Sequence, residues 1–237
     1  LLRRIGDGVV EQVFDRLPQA AAGGASALSG GETYGDGDVN HKEEAYDYWM
    51  QRAAEFEDQS DRDASKVRTF IDALYPTLDW LAENYGVTYS DDVKSNPVRR
   101  PFGGEGRGAG FVQLLVDGLA KNGAELMLET RATELIQDAS GTVVGAKATA
   151  ADGSEVVVSA QKVILTTGSF VQNAELMEKY AADFAGQMVN SAAGSTGDGM
   201  TMAIAVGAVP FENSAAVNNY GATAANGDSL NGLVKSS

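Results

Sequence analysis

No cysteine occurs in the chain, so disulfides, thiolate metal sites and a cysteine nucleophile are excluded. Basic residues are few: 18 lysines and arginines stand against 33 acids, a net charge of −15. That balance argues against a nucleic-acid backbone or an anionic membrane as partner, and serves solubility. No apolar run reaches the roughly 18 residues that a bilayer-spanning helix needs. Histidine occurs once, at His41, and reads as a surface residue at a helix start. No pattern of metal ligands is found. No initiator methionine and no signal peptide are visible, so the compartment, cytoplasmic or exported, stays unassigned for a soluble chain.

What is present is a glycine-rich, moderately apolar sequence. At 237 residues it has room for one large domain or two small ones, and 43% hydrophobic content is enough for a core. Its 28 glycines gather in loops, as a ligand-cradling fold would have them.

Residues 9–14 are β-branched and aromatic between Gly8 and Pro18, and predict a buried strand. Residues 18–40 predict a long small-residue loop, a length that implies ligand contact. Residues 41–85 predict helices. Tyr46, Trp49, Met50, Ala53 and Phe56 form one stripe; Phe70, Leu74, Leu78 and Leu81 form a second, interrupted by Pro76. A second glycine loop at 96–110 is followed by an amphipathic helix bearing Phe111, Leu114, Leu115 and Leu119, stopped by Gly123. Strands are predicted at 125–129, 131–137, 143–150 and 155–159. Asp138-Ala139-Ser140-Gly141 and Asp152-Gly153 are the turns of a three-stranded meander. Residues 163–167 predict a return to a buried strand, and 173–180 and 198–206 predict helices. After Pro210 the periodicity ends, giving a tail or the severed start of a capping domain over 213–237.

Three segments carry chemistry. In Val13-Phe14-Asp15-Arg16 a strand ends in an acid that can accept from ribose hydroxyls, or is an ordinary turn acid. Some ten residues later comes Gly23-Gly24-Ala25-Ser26-Ala27-Leu28-Ser29-Gly30-Gly31. Its glycines admit a pyrophosphate where a Cβ would collide; the alternative is a flexible linker, which the apolar Leu28 and following Tyr34 disfavour. Then come Thr166-Thr167-Gly168 and Gly194-Ser195-Thr196-Gly197-Asp198-Gly199. Together these resemble the FAD-binding domain of the fumarate reductase/succinate dehydrogenase flavoprotein family, in its soluble fumarate-reductase-like branch. The likeness covers about residues 13–36 and 97–210.

The resemblance implies an α/β, Rossmann-like FAD/NAD(P)-binding core with a β-meander and a helical insertion at 41–95, within a partial domain over 1–212. It implies FAD as cofactor. Asp15 would meet the ribose. Gly24, Ala25, Ser26, Ser29, Gly30 and Gly31 would pass under the pyrophosphate and beside the flavin ring. The Ala132 backbone would meet the adenine, and Thr166, Thr167 and Gly168 the adenosine side. Thr196, Gly197 and Asp198 would lie on the flavin side, with Asp198 as a helix-start acid, a cofactor contact or both. The implied reaction is reduction or oxidation of an activated carbon–carbon bond by hydride transfer at flavin N5, on a small substrate that is anionic or unsaturated.

The sequence also departs from the family. The Gly-x-Gly-x-x-Gly fingerprint is absent, and Leu1-Leu2-Arg3-Arg4-Ile5-Gly6 reads as the helix turn that would follow it. The family's first substrate histidine has no counterpart in Ala215-Ala216-Val217-Asn218-Asn219-Tyr220-Gly221. No catalytic residue is assigned, and the expectation is an interior piece that holds FAD weakly or not at all and is inactive alone. Arg99, Arg100 and Arg107 beside the second glycine loop would attract an anionic substrate or pair with acids. The rival readings are a non-catalytic core fragment without cofactor, and a carboxylate-based hydrolase, for which no carboxylate pair in a pocket context is found.

Overall fold

The computed structural model describes residues 12–14, 22–33, 39–54, 64–90, 100–186, 189 and 191–210. Two compact units divide the chain: residues 1–25 with 125–237, and residues 26–124.

In the first unit, β1 (Gln12–Phe14) pairs in parallel with β4 (Glu125–Met127), Val13 opposite Leu126. The meander β5 (Arg131–Gln137), β6 (Val143–Thr149) and β7 (Glu155–Ser159) pairs antiparallel in sequence order. Successive side chains of a strand point to opposite faces, so one face can be covered. Leu135 and Ala146 pair across β5 and β6 and pack with Met202 of α6 (Asp198–Ala205). Val143, Val163 and Val206 close around them. Both turns are built by acids. Asp138 Oδ1 accepts from Ser140 N at 2.8 Å, Ser140 Oγ at 2.6 Å and Thr142 N at 3.0 Å. Asp152 Oδ1 accepts from Ser154 N and Oγ at 2.9 and 2.6 Å. These bonds hold both carboxyls below their ordinary range, the serine hydroxyl contributing most in each case.

Residues 163–167 correct the sequence reading. They form no strand; Ile164 is 76% exposed, and Thr166 and Thr167 are exposed too. The apolar content is that of a strand. No described strand pairs with the segment, and a strand exists only where its N–H and C=O groups find a ladder.

Helix α1 (Gly24–Leu28) is followed, in the second unit, by β2 (Glu32–Thr33), a 3₁₀ turn (Val39–His41), α2 (Lys42–Ala54), α3 (Ala64–Tyr85), β3 (Arg100–Pro101) and α4 (Arg107–Lys121). The short α1 (Gly24–Leu28) lies where an irregular loop was expected. Helix α3 runs through Pro76 without ending, against the predicted interruption. Pro76 forfeits one backbone bond, and the buried stripe Ile71, Tyr75 and Leu78 offsets that cost by packing. Ala45 and Ile71 are fully buried between α2 and α3, among Tyr46, Tyr48, Trp49, Val67 and Leu74. At the rim Arg68 forks onto Glu43 at 2.8 and 3.0 Å and lies 3.7 Å from the Tyr46 ring centre. Lys42 pairs with Asp72 nearby. Helix α4 approaches Tyr85 at Gly118, where any Cβ would overlap the tyrosine ring.

Candidate functional site

Four of the six loop residues implied for the cofactor lie in the second unit. Ser26 and Ser29 form a closed turn: Ser29 N and Oγ both donate to Ser26 O, at 3.2 and 2.7 Å, and Gly31 N donates to Ser29 Oγ at 3.1 Å. Beta strand β3 and helix α4 back this turn. Phe102 N donates to Gly31 O at 2.8 Å and Gly108 N to Ser29 O at 3.3 Å. Two glycines are required here. Gly31 has φ +71°, and its Cβ would stand 2.9 Å from the Arg107 carbonyl carbon; a Cβ on Gly108 would overlap Ser26 O. The outer side differs. Ala25, Ser26, Ser29 and Gly30 are exposed, and a Cβ on Gly24 would meet nothing within 4 Å. The packing is tight toward the protein and open toward solvent, the form that lets a ligand reach backbone amides. Arg107 opens α4 with a left-handed φ of 51° and an exposed side chain.

In the first unit three predicted segments converge. The Thr196–Asp198 turn docks on residues 166–173. Gly197 N donates to Ser169 O at 3.2 Å, and Asn173 Nδ2 donates to Thr196 O at 3.2 Å. Gln172 N donates to Ser195 O at 2.9 Å. A Cβ on Gly197 would overlap Leu176, and one on Gly199 would overlap Thr167 Oγ1. The glycines of Thr-Gly-Asp-Gly are therefore demanded by close approach. Gly168 differs: its φ is +78° and nothing lies within 4 Å of its Cβ position. Asn173 caps α5 (Ala174–Tyr180), accepting from Leu176 N at 3.1 Å.

Asp198 has a defined electrostatic setting. Arg131 Nε donates to its Oδ2 at 2.8 Å and Arg131 Nη2 to its Oδ1 at 2.9 Å. Thr196 Oγ1 donates to Oδ1 at 2.9 Å. The Asp198 side chain is 19% exposed and the Arg131 side chain 50%. The hydrogen-bonded Asp198 carboxylate holds the guanidinium pKa above its ordinary value. The N-cap of α6 is Gly197, so Asp198 stands inside the helix, where its charge meets the favourable end of the helix dipole.

The pair brings Ala132, next to Arg131 on β5, into the same cluster as the Thr196–Asp198 turn. An open cleft of about 440 Å³ lies there, lined by Arg131, Asn173, Glu175, Thr196 and Asp198 among others. Arg131 is the residue that sequence reasoning missed. Its partner is 67 positions away, and only the basic residue beside Ala132 signalled it. Asp15 and Arg99 lie outside the described residues, as do 215–221; Arg100 stands on β3. Among the described residues no group of histidines and acids could hold a metal, and no helix is long and apolar enough to cross a membrane.

The family model described as "FAD binding domain" matches residues 9–218. The fumarate reductase (cytochrome) of Shewanella frigidimarina is 31% identical over 149 residues, 61% of this chain and 26% of that protein. The urocanate reductase of Eggerthella lenta is 35% identical over 161 residues, 62% of this chain and 25% of that protein. The chain thus spans about a quarter of the length of these curated relatives. An open-conformation flavocytochrome c3 fumarate reductase structure shares the fold with a TM-score of 0.69 at 23% identity, over 83% of this chain and 36% of that one.

Proposed function

Because this chain belongs to the FAD binding domain family, we propose that it is the FAD-binding part of a fumarate-reductase-type flavoprotein oxidoreductase acting on an activated carbon–carbon bond. FAD, when bound, would supply the redox chemistry, hydride exchange between flavin N5 and a substrate carbon. The chain's own residues bind and orient. The loop Gly24, Ala25, Ser26, Ser29, Gly30 and Gly31, exposed at Ala25, Ser26, Ser29 and Gly30, takes the pyrophosphate and flanks the ring. Ala132 offers its backbone to the adenine, and Thr166, Thr167 and Gly168 line the adenosine side. Thr196, Gly197 and Asp198 contact the cofactor from the α6 turn, and Asp15 takes the ribose. The relatives named above act on fumarate and urocanate, both unsaturated carboxylates, which favours a small anionic unsaturated substrate.

One observation carries this reading: the Thr-Gly-Asp-Gly turn, the Thr166–Gly168 segment and the start of β5 meet in one cluster beside an open cleft. The carboxylate-hydrolase reading loses its footing there, since Asp198 is committed to Arg131 and Thr196. The test is titration of FAD into apoprotein, read by flavin fluorescence quenching. Weak but saturable binding that ADP competes is expected, in keeping with a chain that carries only part of its relatives' length. A linear, non-saturating response would sink the proposal.

A further inference from the structure

The Arg131–Asp198 pair has two roles open to it. It pins β5 to α6, as any inter-element bridge does. A half-exposed ion pair is worth little for stability by itself, so pinning alone is a weak use of a two-point fork. Its surroundings indicate more. Among the described residues Arg131 is the one cation lining the cleft, and Glu175 and Asp198 are acids lining the same cleft. The whole chain carries −15. A dinucleotide brings further negative charge on its diphosphate. Without Arg131, the Asp198 carboxylate would lose both arms of the fork, and the cleft would present its two acids to an anionic ligand with no cation among its described lining residues.

Resting on the FAD reading above, we propose that Arg131 is a positioning residue for the cofactor. Its fork fixes the Asp198 carboxylate in one orientation and cancels its charge, so that Asp198 meets the dinucleotide as an aimed acceptor and not as a net negative charge. Thr196 Oγ1 completes the setting by donating to the same Oδ1 that Arg131 Nη2 holds. The fork geometry matters, because a lysine brings the charge without two parallel donors.

The experiment measures FAD affinity of apoprotein at low and high ionic strength for wild type, Arg131→Gln, Arg131→Lys and Arg131→Gln/Asp198→Asn, with apoprotein melting curves alongside. Arg131→Gln is expected to weaken FAD at least about tenfold at low salt, with the loss narrowing as salt screens the acids of the open cleft. Adding Asp198→Asn should recover the salt-dependent part of that loss, because the charge that Arg131 offset is then gone, while the aimed acceptor is not restored. Arg131→Lys should fall between wild type and Arg131→Gln. A purely structural bridge would lower the melting temperature without the salt dependence and without rescue. Arg131→Gln binding FAD like wild type, or a double variant as weak as Arg131→Gln, overturns the proposal. Should Arg131→Gln fail to fold, Arg131→Lys decides: wild-type affinity in that variant overturns the role of the fork. Wild type that fails to bind FAD sinks this inference together with the FAD reading; wild type that binds while Arg131→Gln is indifferent sinks this inference alone.

Discussion

The meander over 131–159 and the segment 163–168 that follows it make an instructive pair. Both contain β-branched and apolar residues in the proportions of a strand. The meander is a paired sheet whose Leu135 and Ala146 are buried under α6; the later segment is irregular, with Ile164 and Leu165 exposed. The difference lies in where hydrogen-bond partners come from. Each meander strand finds its ladder one short turn away, and Asp138 and Asp152 fix those turns with side-chain bonds. Residues 163–168 find no described strand beside them. Intrinsic preference therefore names candidates for strands, and only a neighbouring ladder makes one. The open segment is also the one that carries Thr166, Thr167 and Gly168. Exposure there leaves polar groups accessible where pairing would have consumed them.

The sharpest way to break this comparison is to spoil the meander from within. A Cβ on Gly145 of β6 would overlap the Val158 carbonyl oxygen of β7, and backbone in a sheet cannot step aside. Gly145→Val is expected to destabilise by about 3 kcal/mol or more, at the upper end of overpacking effects. Denaturant unfolding checks it; a loss below about 1 kcal/mol would mean that β7 shifts freely.

A smaller effect is expected at the turns, and it depends on pH. The Asp138 carboxyl is held below its ordinary value of 3.8, chiefly by the Ser140 hydroxyl and then by Ser140 and Thr142 N–H groups. A depressed folded pKa stabilises the fold above the unfolded pKa, and that contribution disappears as pH falls through the folded value. Asp138→Ala should therefore lower the melting temperature at neutral pH and converge on wild type below the carboxyl range. Asp152→Ala should behave alike with a smaller shift, since Asp152 Oδ1 receives two bonds from Ser154 where Asp138 Oδ1 receives three. Parallel melting curves at all pH values would contradict the turn argument.

The smallest effect belongs to the open segment. Ile164 is 76% exposed, so Ile164→Ser should change stability by less than about 0.5 kcal/mol. Amide exchange should be fast at residues 164–167 and slow in β6. Slow exchange there, with a destabilising Ile164→Ser, would show that the segment has a ladder after all and would erase the contrast.

Local patterns were the legible part of this sequence. Strands 131–137 and 155–159 were readable to the residue, because β-branched and apolar residues, an Asp at each turn and a glycine at each reversal act within a few residues of one another. The helices starting at Asp198 and after Asn173 were legible for the same reason: their caps and stops lie within one turn. The glycines of the loops were read as room for a pyrophosphate and as a tight turn, where the structure sets Gly31, Gly197 and Gly199 against the protein's own atoms; the resemblance they carry led to the FAD binding domain family. Tertiary structure decided the rest. It carried α3 through Pro76, because burial of Ile71, Tyr75 and Leu78 outweighs one lost backbone bond. It withheld a strand from 163–167, because pairing depends on what lies beside a segment. It gave Asp198 its partner across 67 residues, since a charge in a sequence shows its sign but not which opposite charge folding will set 2.8 Å away.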